Sequence, residues 1–337
     1  MIKPLFYENG KLSIIDQTQL PNKYELIEIY NHLDMAEAIK KLAIRGAPAI
    51  GIAAAFGLVK GLENSKDLPS DDFRKRMNEI AETLKSTRPT AVNLEWSLNR
   101  MKKVAGQNES AKNRELLNIL TQEANRIHQE DIEYCQKIGK NGADLIPDQA
   151  RILTHCNTGG LATGGLGTAL GVIITAHKQG KNVEVFVDET RPLLQGSRLT
   201  MWELRQENVP ATLNTDSMAG YLMKEANIDV VIVGADRIAR NGDVANKIGT
   251  YSLAVLADYH NIPFYVAAPS STIDKEIVSG KDIPIEFRNG EEISRLKGVQ
   301  IAPENCSTIS PAFDVTPNHL ISRIITESGF YEEDIKS

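Results

Sequence analysis

Residues 229–236 read DVVIVGAD: four consecutive apolar residues, Val230 to Val233, then Gly-Ala and a carboxylate. A short apolar run without alternation predicts a strand buried on both faces. RILTH (151–155), VEVFVDE (183–189), ATLNT (211–215) and IPFYVAAP (262–269) repeat that texture. Helical patterns fall between them, near 161–178, 196–208, 217–226 and 244–260. Short apolar strands separated by helices imply βαβ units with right-handed connections and a parallel sheet. The expected fold is α/β. A Rossmann-like parallel-sheet C-terminal domain (121–337) stands behind a smaller, mostly helical N-terminal domain (1–120).

The N-terminal third is mixed. KLSII (11–15) and YELIEIY (24–30) are strand-like. DMAEAIKKLA (34–43) reads as a helix with Asp34 placed to cap it. A second helix covers roughly 70–86, with Phe73, Met77, Ile80 and Leu84 on one face. A third begins near Ser110, with Leu116, Leu120, Ala124 and Ile127 at helical spacing, and persists to about 141. Cys135 falls three residues from both Ile132 and Ile138, so it is expected in the core.

Composition removes several function classes. The 337 residues are 42% hydrophobic, ample for a substantial core. Net charge is −6, and no basic stripe suggests nucleic acid. No run of 18 apolar residues predicts a transmembrane helix. The start, MIKPLFYENGKLSIID, lacks a signal-peptide apolar region, so a cytoplasmic location is expected. Three cysteines without CxxC spacing and six histidines without an HExxH pair predict no disulfide frame and no metal site.

In an open parallel sheet, ligands bind at the carboxyl ends of the strands. Those ends carry Cys156 to Gly160, Asp188 to Arg191, Asp216, Asp236 and Pro269 to Thr272. The run LTHCNTGGLATGGLGTAL (153–170) puts Cys156 before glycines that read as the start of a helix. Free N–H groups there would favour an anion and lower the thiol pKa. The plainer reading is a small buried apolar residue. Gly159-Gly160, Gly164-Gly165 and Gly167 lack the GxGxxG spacing, so no nicotinamide cofactor is expected.

Asp236, if it loses solvent, can stay protonated and act as a general acid; otherwise it is a turn cap. NGD (241–243) signals a turn, and Asn246 and Lys247 are expected in the first helical turn after it. A lysine there opposes the helix dipole unless an anion binds. Arg191 and Gln195 in FVDETRPLLQGSRLT, Arg45 in AIRGAPAIGIAAA and Arg88 in STRPTAVNLEW complete the set. Several arginines beside glycine-rich turns suit phosphate.

From IRGAPAIGIAAAFG through RPTAVNLEW, LTHCN, DETRPLLQGSRLT, MAGYLM and GADRIARNGDVANKIGTYSLAVLA to APSSTID and FDVTPNHLI, the chain resembles the 5-methylthioribose-1-phosphate isomerase family. That family is grouped with ribose-1,5-bisphosphate isomerases and the regulatory subunits of translation initiation factor 2B. The resemblance implies an aldose–ketose isomerase of methionine salvage, without cofactor or metal, acting on a small sugar phosphate as a homodimer. It implies that Cys156 and Asp236 are the catalytic pair, with Asp236 the proton donor. It further implies substrate contacts from Arg45, Gly46, Ala47, Arg88, Gln195, Asn246 and Lys247. Thr158-Gly159-Gly160 and Ile285-Glu286-Phe287-Arg288 depart from the family's usual pattern, which leaves the substrate's 5-substituent open. Alternatives are a 5-deoxyribose-1-phosphate or ribose-1,5-bisphosphate isomerase, or a non-catalytic regulatory subunit.

Overall fold

The computed structural model describes residues 2–225 and 227–331. Ala226, at the end of the expected 217–226 helix, and residues 332–337 lie outside them. The chain forms two compact units, Met1–Gln136 with Gly159–Gly167, and Lys137–Thr158 with Thr168–Ser337.

The first unit opens with an antiparallel sheet of β1 (Leu5–Glu8), β2 (Lys11–Ile15) and β3 (Leu26–Ile29). Four helices follow: α1 (His32–Lys40), α2 (Ala47–Leu62), α3 (Ser70–Lys85) and α4 (Val92–Gln107). The N-cap of α1 is Asn31, not Asp34. Asn31 Oδ1 accepts from the Leu33 and Asp34 N–H groups, and Asp34 Oδ2 accepts from Asn31 N, a reciprocal capping box. Helix α5 (Asn113–Ala143) is unbroken across residue 120. Its Leu116, Leu120, Ala124 and Ile127 all pack in the first unit's core with Phe56 and Phe73. That packing is why the compact units part at 136/137 rather than at the expected 120/121.

The second unit holds β4 (Arg151–Thr154), α6 (Ala169–Lys178), β5 (Glu184–Asp188), α7 (Met201–Gln206), β6 (Ala211–Asn214), α8 (Ala219–Glu225) and β7 (Val230–Val233). Then come β8 (Arg237–Ala239), β9 (Val244–Lys247), α9 (Thr250–Tyr259) and β10 (Phe264–Ala267). β11 (Ile273–Asp274), α10 (Glu291–Ser294), β12 (Arg295–Leu296), β13 (Val299–Gln300), β14 (Phe313–Thr316), β15 (Arg323–Thr326) and β16 (Gly329–Phe330) complete it.

The main sheet runs β16-β15-β10-β7-β4-β5-β6, parallel except for the antiparallel edge strand β16. All four residues of β7 are buried, as its unbroken apolar run requires. Each such aliphatic side chain stabilises the fold by roughly 1.5–3 kcal/mol. Counting only the parallel strands in chain order, the spatial order is the doubly wound 3-2-1-4-5-6 of the Rossmann fold.

The helix expected from 196 opens as a π-helical stretch, Gly196–Thr200, ahead of α7, and two other expected helices begin later than the sequence suggests. The helix expected from 161 starts at Ala169, because the glycines before it are poor helix formers. The one expected from 244 starts at Thr250: residues 244–247 are strand β9, paired antiparallel with β8 and β14. The turn at Asn241-Gly242-Asp243 thus closes a hairpin rather than leading into a helix.

Asp243 fastens that hairpin. Its carboxylate accepts from Gly280 N at 2.8 Å, Asn318 N at 2.9 Å and Asn241 Nδ2 at 3.0 Å. Burial pushes its carboxyl up, but these hydrogen bonds and His319 outweigh burial and hold it below the usual range. A depressed carboxyl contributes stability above its unfolded value and loses it as pH falls through the folded one. Asp243→Asn, which leaves an amide N–H facing a backbone donor, is expected to cost about 1–3 kcal/mol at neutral pH by urea unfolding. The gap to wild type should close below about pH 4. A gap that stays constant into stronger acid would refute this account.

Candidate active site

The strand order reverses between β4 and β7, which are neighbours through Ile152↔Val230 and Leu153↔Val231. At such a switch point the flanking connections diverge and leave a crevice at the carboxyl ends. Cys156 follows β4 there, and Asp236 follows β7.

Cys156 is buried, with a left-handed backbone at φ +62°. Such a conformation at a non-glycine residue costs of order 1 kcal/mol and persists only where its surroundings impose it. Here two threonines do so: Cys156 N donates to Thr190 Oγ1 at 2.8 Å, and Thr200 Oγ1 donates to Cys156 O at 2.6 Å. The expected helix N-terminus at the thiol is absent. Residues Gly159–Gly167 form a loop of the first unit, closed by a Gly159↔Gly167 bridge.

Asp236 is half-buried, and its N–H donates to Ala245 O at 2.9 Å. Since Arg237 pairs with Ala245, Asp236 lies alongside β9, which carries Asn246 and Lys247. Those two stand in a strand, so the expected conflict between Lys247 and a helix dipole does not arise. Asn246 is buried and donates from Nδ2 to Thr250 Oγ1 at 3.0 Å. Lys247 Nζ donates to Ala312 O at 3.1 Å and lies 4.7 Å from the Phe313 ring centre, a cation–π distance.

Gln195 is 4% exposed, and its Oε1 is buried without a hydrogen-bond partner among the described residues. An orphaned acceptor costs roughly 1–3 kcal/mol, which a ligand donor could offset. Arg191 donates from its guanidinium to Ile293 O and Pro192 O, so it is engaged with backbone.

Four expected residues lie in the first unit. Arg45 is buried and donates from Nε to Gln17 Oε1 at 3.0 Å; Gln17 Nε2 donates to Leu161 O at 2.8 Å. Gly46, at φ +96°, seats the glycine-rich loop: a Cβ there would stand 2.6 Å from Ala162 Cα. Ala47 opens α2 directly after it. Arg88 is half-buried in the turn after α3. In the second unit, Cys156, Asp236, Gln195, Asn246 and Lys247 all follow or flank the carboxyl ends of its strands.

Sequence reasoning misses one residue of this region, His155. It is buried, with Nδ1 2.9 Å from Asp188 Oδ2 and Nε2 2.9 Å from Ile248 O. Asn214 Nδ2 donates to Asp188 Oδ1 at 2.6 Å. Asp216 accepts from the N–H groups of Thr190 and Arg191, both at 2.7 Å. One donor atom each from His155, Asp188 and Asp216 lie within 4.8 Å of one another, and all three groups are already engaged in these hydrogen bonds. The available signal is position: a histidine beside the cysteine at a strand's carboxyl end.

Cys135 is buried as expected; burial pushes its thiol well up, and Asp131 adds to this. Cys306 is exposed. Brief iodoacetamide treatment of native protein is expected to label Cys306 and spare Cys135 until urea unfolds the chain. Native labelling of Cys135 would contradict its assigned place in the core.

The chain matches the Initiation factor 2 subunit family over residues 43–333. It is 55% identical to methylthioribose-1-phosphate isomerase of Thermotoga maritima, across 99% of this chain and 97% of that one. Among solved structures it resembles 5-methylthioribose 1-phosphate isomerase from Pyrococcus horikoshii OT3, with TM-score 0.90 and 45% identity over 98% of this chain and 92% of that one. It also resembles a structure titled translation initiation factor eIF-2B, subunit delta, from A. fulgidus, with TM-score 0.86 and 45% identity over 99% and 97%. The chain belongs to the Initiation factor 2 subunit family. Within it, the chain is an enzyme of the isomerase class.

Proposed function

We propose that the chain converts 5-methylthioribose 1-phosphate to 5-methylthioribulose 1-phosphate, a cytoplasmic step of methionine salvage. The observation that carries this reading is near-full-length identity above one half to a relative bearing that name. The placement of Cys156 and Asp236 beyond two adjacent strands at the switch point supports it.

The chemistry explains why two such groups are needed. The 1-phosphate blocks ordinary ring opening, so the enzyme must break the ring C1–O bond itself. Asp236 donates a proton to the ring oxygen as that bond breaks. The hydrogen on C2 then moves to C1, the C2 hydroxyl returns its proton to the Asp236 carboxylate, and C2 becomes the carbonyl carbon. With Cys156 as base, the hydrogen travels as a proton through an enediol-like state; in the direct route it passes as a hydride. Exchange with deuterated water during turnover marks the first route. Exclusion of water would serve both by strengthening each electrostatic contact. Arg45, Gly46, Ala47, Arg88, Gln195, Asn246 and Lys247 are read as substrate contacts, with the cations serving the phosphate.

Cys156→Ser and Asp236→Asn are each expected to lower kcat at least about 10²-fold with little change in substrate binding. Carbon NMR of the C2 carbonyl follows the reaction. Near-normal turnover in either variant removes that residue from the mechanism. Faster reaction of 5-deoxyribose 1-phosphate than of the methylthio compound would move the substrate assignment. A folded wild type inert to both would bring forward the ribose-1,5-bisphosphate isomerase and regulatory-subunit readings.

The proposed assembly is a homodimer. Tyr251, Val255 and Tyr259 recur at four-residue steps along α9 and are all exposed, an apolar stripe that a second copy would cover. Sedimentation is expected to find a dimer, and Val255→Asp to shift it toward monomer. A wild-type monomer would refute the assembly.

A further inference from the structure

His155 meets an acceptor at each end of its ring. The Ile248 carbonyl can only accept, so Nε2 carries a proton. A second proton lies between Nδ1 and Asp188 Oδ2, 2.9 Å apart. Gly249 makes room for the ring: at φ +107°, its missing Cβ would stand 2.9 Å from His155 Cε1.

We propose that His155 is a positioning residue of this active site: a doubly protonated imidazole that fastens the Cys156 end of β4 to Asp188 at the end of β5 and to the Ile248 turn after Asn246 and Lys247. The kinetic part of this proposal rests on the isomerase reading above; the structural part does not.

Two segments, far apart in sequence, bond to the ring's two ends. Thr190 extends the tie to Cys156 itself, since its hydroxyl accepts from Cys156 N and donates to Asp188 O at 3.0 Å. The Ile248 arm holds the turn between β9 and α9, whose N-terminus is capped by Asp314 through Gly249 N at 2.7 Å and Tyr251 N at 3.0 Å. Removing one proton would leave Nδ1–H on Asp188 and set the Nε2 lone pair against the Ile248 carbonyl. The turn would then lose its tether.

The charged groups facing the ring are Asp188 at the end of β5, Asp216 ahead of α8, 4.0 Å from Nδ1, and Asp314 on β14. Burial alone would drive the proton off. The hydrogen bond and charge of Asp188, with Asp216 and the Ile248 carbonyl, outweigh burial and hold the imidazole above its ordinary value. Burial also pushes the Asp188 carboxyl up, so the clamp needs a pH above that raised value; from there it is complete up to about pH 6.5 and is lost as pH rises through the ring's raised value.

The test uses whole protein labelled with ¹⁵N-histidine. Near pH 7 both ring nitrogens of His155 are expected to be protonated by NMR, with His155→Gln identifying the resonance. Glutamine has one amide and cannot donate in both directions. His155→Gln should lower kcat/KM for 5-methylthioribose 1-phosphate at least about tenfold, mainly through kcat. The alkaline fall of wild-type kcat/KM should vanish in the variant, and amides 247–251 should exchange faster with deuterium. Gly249→Ala should reproduce the faster exchange if the glutamine variant does not fold.

A singly protonated His155 near pH 7, or a variant within about twofold of wild-type kcat/KM, overturns the clamp. If wild type does not turn over the sugar phosphate but the NMR and exchange results hold, the clamp stands and the substrate reading falls. If turnover is normal and the ring singly protonated, the clamp falls and the substrate reading stands.

Discussion

The pairing of β4 with β7 is the constraint on which the second unit's candidate site depends. Both strands are buried on both faces, so neither can slide without exposing apolar side chains to water. Their register, Leu153 opposite Val231, fixes where each strand ends. The segment beyond each end is polar because the sheet stops there and the order of connections reverses. The burial of a few aliphatic side chains thus determines the placement of Cys156 and Asp236.

A second layer of constraint is made of hydrogen bonds. Cys156 adopts a strained backbone that two threonine hydroxyls hold, and one of those hydroxyls also bonds to the end of β5. Asp216 and Asp314 each bind two backbone N–H groups, so these carboxylates organise turns. A group of acids beneath a site proposed for phosphate would be unfavourable if they were solvated point charges. Bonded to N–H groups and to an imidazolium, they contribute geometry with much of their charge compensated.

The sheet was legible because its signal is local. Val230 to Val233 must be buried whatever surrounds them, and the same holds for the apolar runs at β4, β5 and β10. The strand-end rule then turned those strands into Cys156 and Asp236 without distances. The boundaries of α6 and α9 were less legible. Gly159 to Gly167 are poor in helix formers and fold against Gly46, far away in sequence, while Val244 to Lys247 hold helix-compatible residues but pair with Phe313 to Thr316. Such long-range pairing overrides local preference and leaves no periodic trace. The cap of α1 shows a smaller version: Asn31 and Asp34 are both good caps, and reciprocal bonding decides between them.

His155 shows where a sequence reading attends to the wrong property. The eye rests on the cysteine because thiols are rare and reactive, whereas a lone histidine suggests nothing without a partner. Its partners come from Asp188 on a neighbouring strand and from a main-chain carbonyl that has no sequence signature at all. The ring fits there because Gly249 has no Cβ to occupy the same space. Catalytic groups tend to be conspicuous by type, while the groups that aim them are conspicuous only by geometry. A buried side chain whose polar atoms are all satisfied by separate segments has few other conformations available. That restriction fixes the turn that follows Lys247 at the end of β9.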